Sequence, residues 1–97
     1  MVTEEEQFKG CIKVPDEVLM REMDGESVIL NMANESYYGL DPVGTRFWSH
    51  LTEANSIQQA FESLCEEFDV EKKTLHADLK EFLENLEKQG LIQISEG

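Results

Sequence analysis

Glu35-Ser36-Tyr37-Tyr38-Gly39-Leu40-Asp41-Pro42 is the stretch where a strand pattern stops and a helical pattern takes over. Tyr37, Tyr38 and Leu40 suit a pleated, half-buried strand, and Gly39 leaves room for another backbone to come close. Asp41-Pro42 pairs a helix N-cap with a proline at the first helical position. One strand therefore runs directly into one helix, with sheet expected before the junction and helices after it.

Upstream, Val18 to Met23 and Ser27 to Asn31 are strand candidates separated by Asp24-Gly25, a dipeptide suited to the positive backbone angles of a tight hairpin turn. Neither run alternates cleanly. Val18 and Met20 point one way, Leu19 and Met23 the other, and Val28-Ile29-Leu30 is apolar on both sides. A sheet covered on one face only is more amphipathic than this. A second layer from the N-terminal arm, a self-association surface that would make a homodimer, and a bound partner each account for the pattern. After the polar linker Met32 to Glu35, the strand Ser36 to Leu40 completes a three-stranded meander. Residues 1–15 read as a mobile N-terminal arm: a polar, glutamate-rich start, Phe8 as a pin at its end, and an extended Cys11 to Pro15. Residues 16–97 read as a single domain.

Downstream, Val43, Phe47, Trp48 and Leu51 recur at helical spacing from Pro42, and Gly44 permits a close neighbour. Thr52 to Asn55 breaks that helix. Ser56 followed by Gln59 forms a capping box for a second helix, whose stripe is Ile57, Ala60, Phe61, Leu64, Cys65 and Phe68. A third helix runs from about Lys72 to Gln89, buries Leu75, Leu79, Phe82, Leu83 and Leu86, and ends at Gly90. Leu91 to Ile94 then alternates like a short strand or wing. The predicted fold class is α+β: a three-stranded antiparallel β-meander followed by three helices, with the last two and the extended tail resembling a winged helix-turn-helix.

At 97 residues the chain is one domain, and a chain of this size buries about two-thirds of its unfolded surface. Eight basic and twenty-one acidic side chains give a net charge of −13, which repels phosphate backbones and anionic membranes. The N-terminus lacks the basic start and apolar run of a signal peptide, and no stretch is apolar enough to span a bilayer. Cys11 and Cys65, with no close-spaced pairing, read as reduced thiols of a cytoplasmic protein.

Catalytic signatures are missing. His50 and His76 sit on different helices with no companion ligand at metal spacing, no motif surrounds a serine or cysteine, and the single glycines build no phosphate-cradling loop. Glu81, Glu84 and Glu87 read as a solvated helix face. The chain therefore reads as non-catalytic, without metal or cofactor. A winged-helix DNA-binding transcriptional regulator is the alternative that the helix order raises, but charge opposes it. In the third helix Lys72, Lys73, Lys80 and Lys88 are outnumbered by Glu71, Asp78, Glu81, Glu84 and Glu87, and DNA affinity rests on phosphate contacts.

What is left is the edge of the meander. Tyr37-Tyr38-Gly39-Leu40 carries neither charge nor proline to blunt it, so a peptide can pair with it by strand addition. Here the sequence resembles the PqqD-like proteins, which bind the leaders of ribosomally made, modified peptides. The resemblance is carried by Asp24-Gly25, the Tyr-Tyr-x-Leu step at Tyr37 to Leu40, Asp41-Pro42-Val43-Gly44, Phe47-Trp48 and the ending Phe82 to Ile92, and it covers about Val18 to Ile94. It implies a leader lying antiparallel to the third strand in a cleft walled by the third helix, handed on to a radical SAM maturase or a leader peptidase. The peptide-binding residues that it implies are Ser36, Tyr37, Tyr38, Gly39 and Leu40 on the strand and Lys72, Leu75, His76 and Leu79 on the helix. Asp41 stands where the family often has asparagine, and caps equally well.

Overall fold

The computed structural model describes residues 8–95, so the part of the arm over residues 1–7 lies outside the described residues. In chain order the elements are β1 (Cys11–Lys13), β2 (Val18–Met23), β3 (Glu26–Asn31), β4 (Ser36–Leu40), α1 (Pro42–Glu53), α2 (Ile57–Glu67), α3 (Lys72–Lys88) and β5 (Gln93–Ser95). Strands β2, β3 and β4 form the antiparallel meander, and three helices follow, the α+β arrangement read from the sequence.

Asp24 (φ 55°) and Gly25 (φ 83°) close the first hairpin; positive φ at both central residues gives the turn whose twist matches that of the strands. The register runs from Val18 opposite Asn31 to Met23 opposite Glu26. Glu35 also adopts a positive φ of 63° in the next turn. There the Asn34 side-chain oxygen accepts from the Ser36 N–H at 3.0 Å and from its hydroxyl at 2.7 Å. β4 pairs with β3 from Ser27 opposite Leu40 to Asn31 opposite Ser36. Its other flank takes no strand among the described residues.

Alternation along the strands sorts the sheet into two faces. Val18, Ile29 and Leu40 are buried on the inner face, against the core built by Phe47, Trp48, Phe61, Leu64, Leu79 and Leu86 from the helices. Leu19, Met23 and Tyr37 lie on the outer face, 50, 73 and 74 % exposed. The two-sided apolar pattern of the hairpin is therefore answered on one side by the helices and left open on the other.

Two polar joints fix the sheet to the helices. The buried hydroxyls of Ser27 and Thr45 meet at 2.7 Å, tying β3 to the first turn of α1. Buried Asn31 donates from its side-chain nitrogen to the Gly90 carbonyl at 3.2 Å and accepts from the Ala33 N–H at 2.9 Å. It thereby holds β3 against the end of α3.

The helix boundaries follow their caps. The Asp41 carboxylate accepts from the Gly44 N–H at 2.7 Å with Pro42 at the first position, and the Ser56 hydroxyl accepts from the Gln59 N–H at 3.1 Å. Gln59 returns the bond to the Asn55 N–H at 2.7 Å, one residue before the cap. Gly90, at φ 77°, ends α3, with the Leu91 N–H bonded to the Leu86 carbonyl at 2.9 Å, a left-handed stop of the kind glycine favours. Leu91 and Ile92 are then buried, and β5 pairs with β1, Cys11 opposite Ser95. The wing is thus one half of a two-stranded ribbon. Its other half is the described part of the arm, which is tied down further at Phe8: the Phe8 N–H donates to the Gln58 side chain at 2.9 Å, and its ring stacks on His76 at 4.4 Å and meets Phe61 edge-on at 5.3 Å.

Candidate functional site

β4 reaches α1 across a single residue, Asp41, and this junction sets the geometry of the site. Because the helix starts at once, α1 leaves the end of the strand at its first turn, and Gly44 packs tightly under Leu40. A Cβ on Gly44 would lie 3.3 Å from the Asp41 carboxylate and 3.4 Å from the Leu40 side chain. The first contact is tighter than most side chains make, so a larger residue here would have to shift the capping Asp41 carboxylate by a few tenths of an ångström.

Beside the junction lies a cleft between β4 and α3. Its strand half, a hollow of about 330 Å³, is lined by Tyr38, Gly39, Leu40, Asp41, Gly44 and Phe82. A second hollow of about 240 Å³ shares Asp41, Gly44 and Phe82 with it and continues along the helix past Phe47, Asp78, Glu81 and Asn85 to exposed Val43. Asp78, Glu81, Phe82 and Asn85 stand at the i, i+3, i+4, i+7 spacing that puts residues on one helix face. Phe82 is only partly buried and packs edge-on against Phe47 at 5.4 Å. The cleft therefore offers an apolar floor, a rim of three carboxylates, and the unpaired flank of β4 along one side. Unpaired N–H and C=O groups of an edge strand are a template for another chain.

A larger hollow of about 550 Å³ lies on the outer sheet face, over Arg21, Met23, Val28, Leu30 and Gly39. The β3 backbone beneath it is committed on both flanks, whereas β2, like β4, pairs on one flank only. It touches both edge strands but has no helix beside it among its lining residues, whereas the β4 cleft sets an edge strand against side chains of α1 and α3, which makes that cleft the better candidate for recognising an extended chain.

Of the strand residues expected at the site, Tyr38, Gly39 and Leu40 line the cleft, and Ser36 and Tyr37 belong to the same edge strand with Tyr37 turned outward. The helix residues are distributed differently. Leu75 and Leu79 are 3 % and 0 % exposed and belong to the core, His76 stacks on Phe8, and Lys72 is exposed in the first turn of α3. None of the four lines the cleft. The α3 residues that line these hollows belong to the face about one turn further on: Asp78, Glu81, Phe82 and Asn85. The sequence carried one signal for it: Phe82 lies at the margin of the buried stripe, where an aromatic ring is half-covered and half-offered.

Gly39 was expected to keep the pairing edge uncrowded. A Cβ there would meet nothing within 4 Å, and its place in the alternation turns that Cβ toward the outer face. Within the chain itself, then, nothing crowds this position.

Further along α1, Arg46 grips Glu67 through two contacts of 2.8 Å, and His50 Nε2 lies 2.7 Å from the same carboxylate. The Arg46 hydrogen bond, then that of His50, holds the Glu67 carboxyl down at about 2. The same bond to Glu67 raises Arg46. This network clamps α1 to α2, and none of its three residues lines the cleft. Cys11 and Cys65 form no disulfide. Among the described residues no group of three or more His, Cys, Asp or Glu side chains could hold a metal ion. No helix among them is long and apolar enough to cross a membrane.

The family of coenzyme PQQ synthesis protein D (PqqD) matches residues 26–92. Among solved structures, TbiB1 in complex with the TbiA(beta) leader peptide is 34 % identical, with a TM-score of 0.78 over 84 % of this chain and 94 % of that one. A lasso peptide synthetase B1 complexed with the leader peptide shares the fold at 18 % identity, with a TM-score of 0.75 over 84 % of this chain and 96 % of that one. No curated protein matches the chain.

Proposed function

The chain belongs to the PqqD family, and from that premise we propose that it binds the leader of a ribosomally made precursor peptide by strand addition along the free flank of β4. The observation that carries this reading is the open edge of β4 beside an apolar cleft. A visiting strand satisfies its backbone donors and acceptors on β4, and alternate side chains drop toward Tyr38, Leu40 and Phe82. The 34 %-identical relative with its bound leader peptide supports the same use of the fold.

In this reading the chain performs no bond chemistry. It holds the leader while the attached core peptide stays outside the cleft, and so presents that core to a separate enzyme, either a radical SAM maturase or a leader peptidase. The acidic surface that disfavours nucleic acid does not hinder a peptide, whose main chain is uncharged. A homodimer through Leu19, Met23 and Tyr37 is the competing use of the outer face, motivated by their exposure. Sedimentation at high micromolar concentration decides it, since a monomer removes that use.

The test of the main reading is a titration of isotope-labelled protein with leader peptides encoded beside its gene. Amide resonances of Ser36 to Leu40 and of Asp78 to Asn85 should shift together. Absence of any shift with every such peptide overturns the reading, and shifts confined to Leu19, Met23 and Val28 move the site to the outer face.

A further inference from the structure

We propose that the rim of the β4–α3 cleft selects leaders that carry basic side chains next to their apolar anchors, through Asp41, Asp78 and Glu81. This deepens the leader-binding reading and rests on it. The charged residues lining the cleft are all acidic: Asp41 where β4 ends, and Asp78 and Glu81 one helical turn apart on α3. None of the three has an ion-pair partner among the described residues, where the basic groups Arg46 and His50 are both committed to Glu67. One Asp41 oxygen is engaged by the Gly44 N–H, and Asp41 is exposed where it lines the cleft.

The three carboxylates surround an apolar floor of Leu40, Phe47 and Phe82. A side chain entering here meets hydrophobic surface below and negative potential at the lip. Lysine and arginine fit that combination, since their methylene stems lie along apolar surface while the charged head stays at the wet rim. An acidic residue at the same place meets three like charges. The strand flank supplies affinity for any extended chain, because backbone pairing is indifferent to sequence. Selection among leaders must then come from the side chains at the Leu40–Asp41 end of β4, and the rim is the charged feature there. Each exposed pair contributes modestly, so the preference is a sum over three carboxylates and weakens with salt.

The test uses fluorescein-labelled synthetic peptides with a common segment alternating tyrosine or leucine with threonine, flanked at either end by two lysines, two glutamines or two glutamates. Polarisation titrations at low salt should show one lysine-flanked peptide binding about ten-fold more tightly than its glutamate counterpart, a ratio expected to collapse as salt screens exposed charges. The double substitution Asp78→Asn with Glu81→Gln should remove most of that ratio. Glu62→Gln with Glu66→Gln, two exposed α2 positions whose substitution removes the same amount of negative charge, should preserve it. Circular dichroism verifies that both variants fold. Equal affinities for all flanks, or equal loss of the ratio in both double variants, overturns the proposal while leaving strand addition intact. Failure of every peptide to bind overturns the proposal at its premise, that the strand flank takes any extended chain, and leaves the leader-binding reading to the titration with encoded leaders.

Discussion

Thr45→Val replaces a hydroxyl by a methyl of nearly the same shape and leaves the Ser27 hydroxyl buried with no partner. Ser27 and Thr45 are 4 % and 3 % exposed and their oxygens are 2.7 Å apart, so water does not readily substitute. Stranding a buried hydroxyl costs about 1–3 kcal/mol, whereas removing both partners approaches neutrality. Thr45→Val should therefore lower stability by about 2 kcal/mol. Ser27→Ala should cost less, about 1 kcal/mol, because a helical threonine can turn its hydroxyl to the carbonyl four residues back. The double variant should be more stable than the sum of the singles implies, with a coupling of at least about 1 kcal/mol, equivalent to about 4–8 °C in Tm for a domain of this length. Urea unfolding followed by circular dichroism, with an unchanged slope, measures all three. Single effects that simply add within about 0.3 kcal/mol would refute the claim that this pair is a mutually dependent joint.

Ser56→Ala removes the hydroxyl that accepts from the Gln59 N–H and should lower stability by about 1 kcal/mol in the same assay. Because the folded Glu67 carboxyl sits at about 2, below its ordinary 4.5, its contribution is fully present above pH 4.5 and lost as pH falls through that window. Glu67→Gln should therefore flatten the acid limb of stability between about pH 4.5 and 2, and an unchanged limb would show the Arg46–His50 clamp to be idle. Phe82→Ala strips the apolar cleft wall and should weaken leader binding on the order of ten-fold or more in a polarisation titration; unchanged affinity would place the peptide elsewhere. Gly39→Val, whose new side chain meets open space, should leave leader affinity within about two-fold, as a β-branched residue suits a strand.

The junction was the most legible part of the chain, because Asp41-Pro42 and the tyrosine-rich run before it state local preferences that packing does not override. The Asp24-Gly25 turn and the helix stops at Ala54 and Gly90 were legible for the same reason. Side-chain roles on α3 were not. Leu75 and Leu79 are the middle of an apolar stripe, and only the direction from which β4 and α1 approach decides whether its centre or its margin borders the cleft. That direction is set by the Asn31–Gly90 and Ser27–Thr45 bonds, long-range contacts between small polar residues that no periodicity announces. Val43 shows the same limit: it continues the apolar spacing of α1 yet is 47 % exposed, since Gly44, Phe47, Trp48 and Leu51 already fill the inward face. The pairing of Cys11–Lys13 with Gln93–Ser95 was hidden for a different reason: strands of three residues are too short for alternation to distinguish them from loop.

The β1–β5 ribbon brings residues 11 and 95 side by side, so the described fold enters and leaves at almost the same point. A fold with adjacent ends can be spliced into a surface loop of a larger protein without prising its host apart, and can be circularly permuted across a short bridge. Such grafting leaves the β4 cleft untouched, because β1 and β5 form a sheet separate from the meander. The same β4 surface can thus stand in a separate chain or in a module built into a larger one.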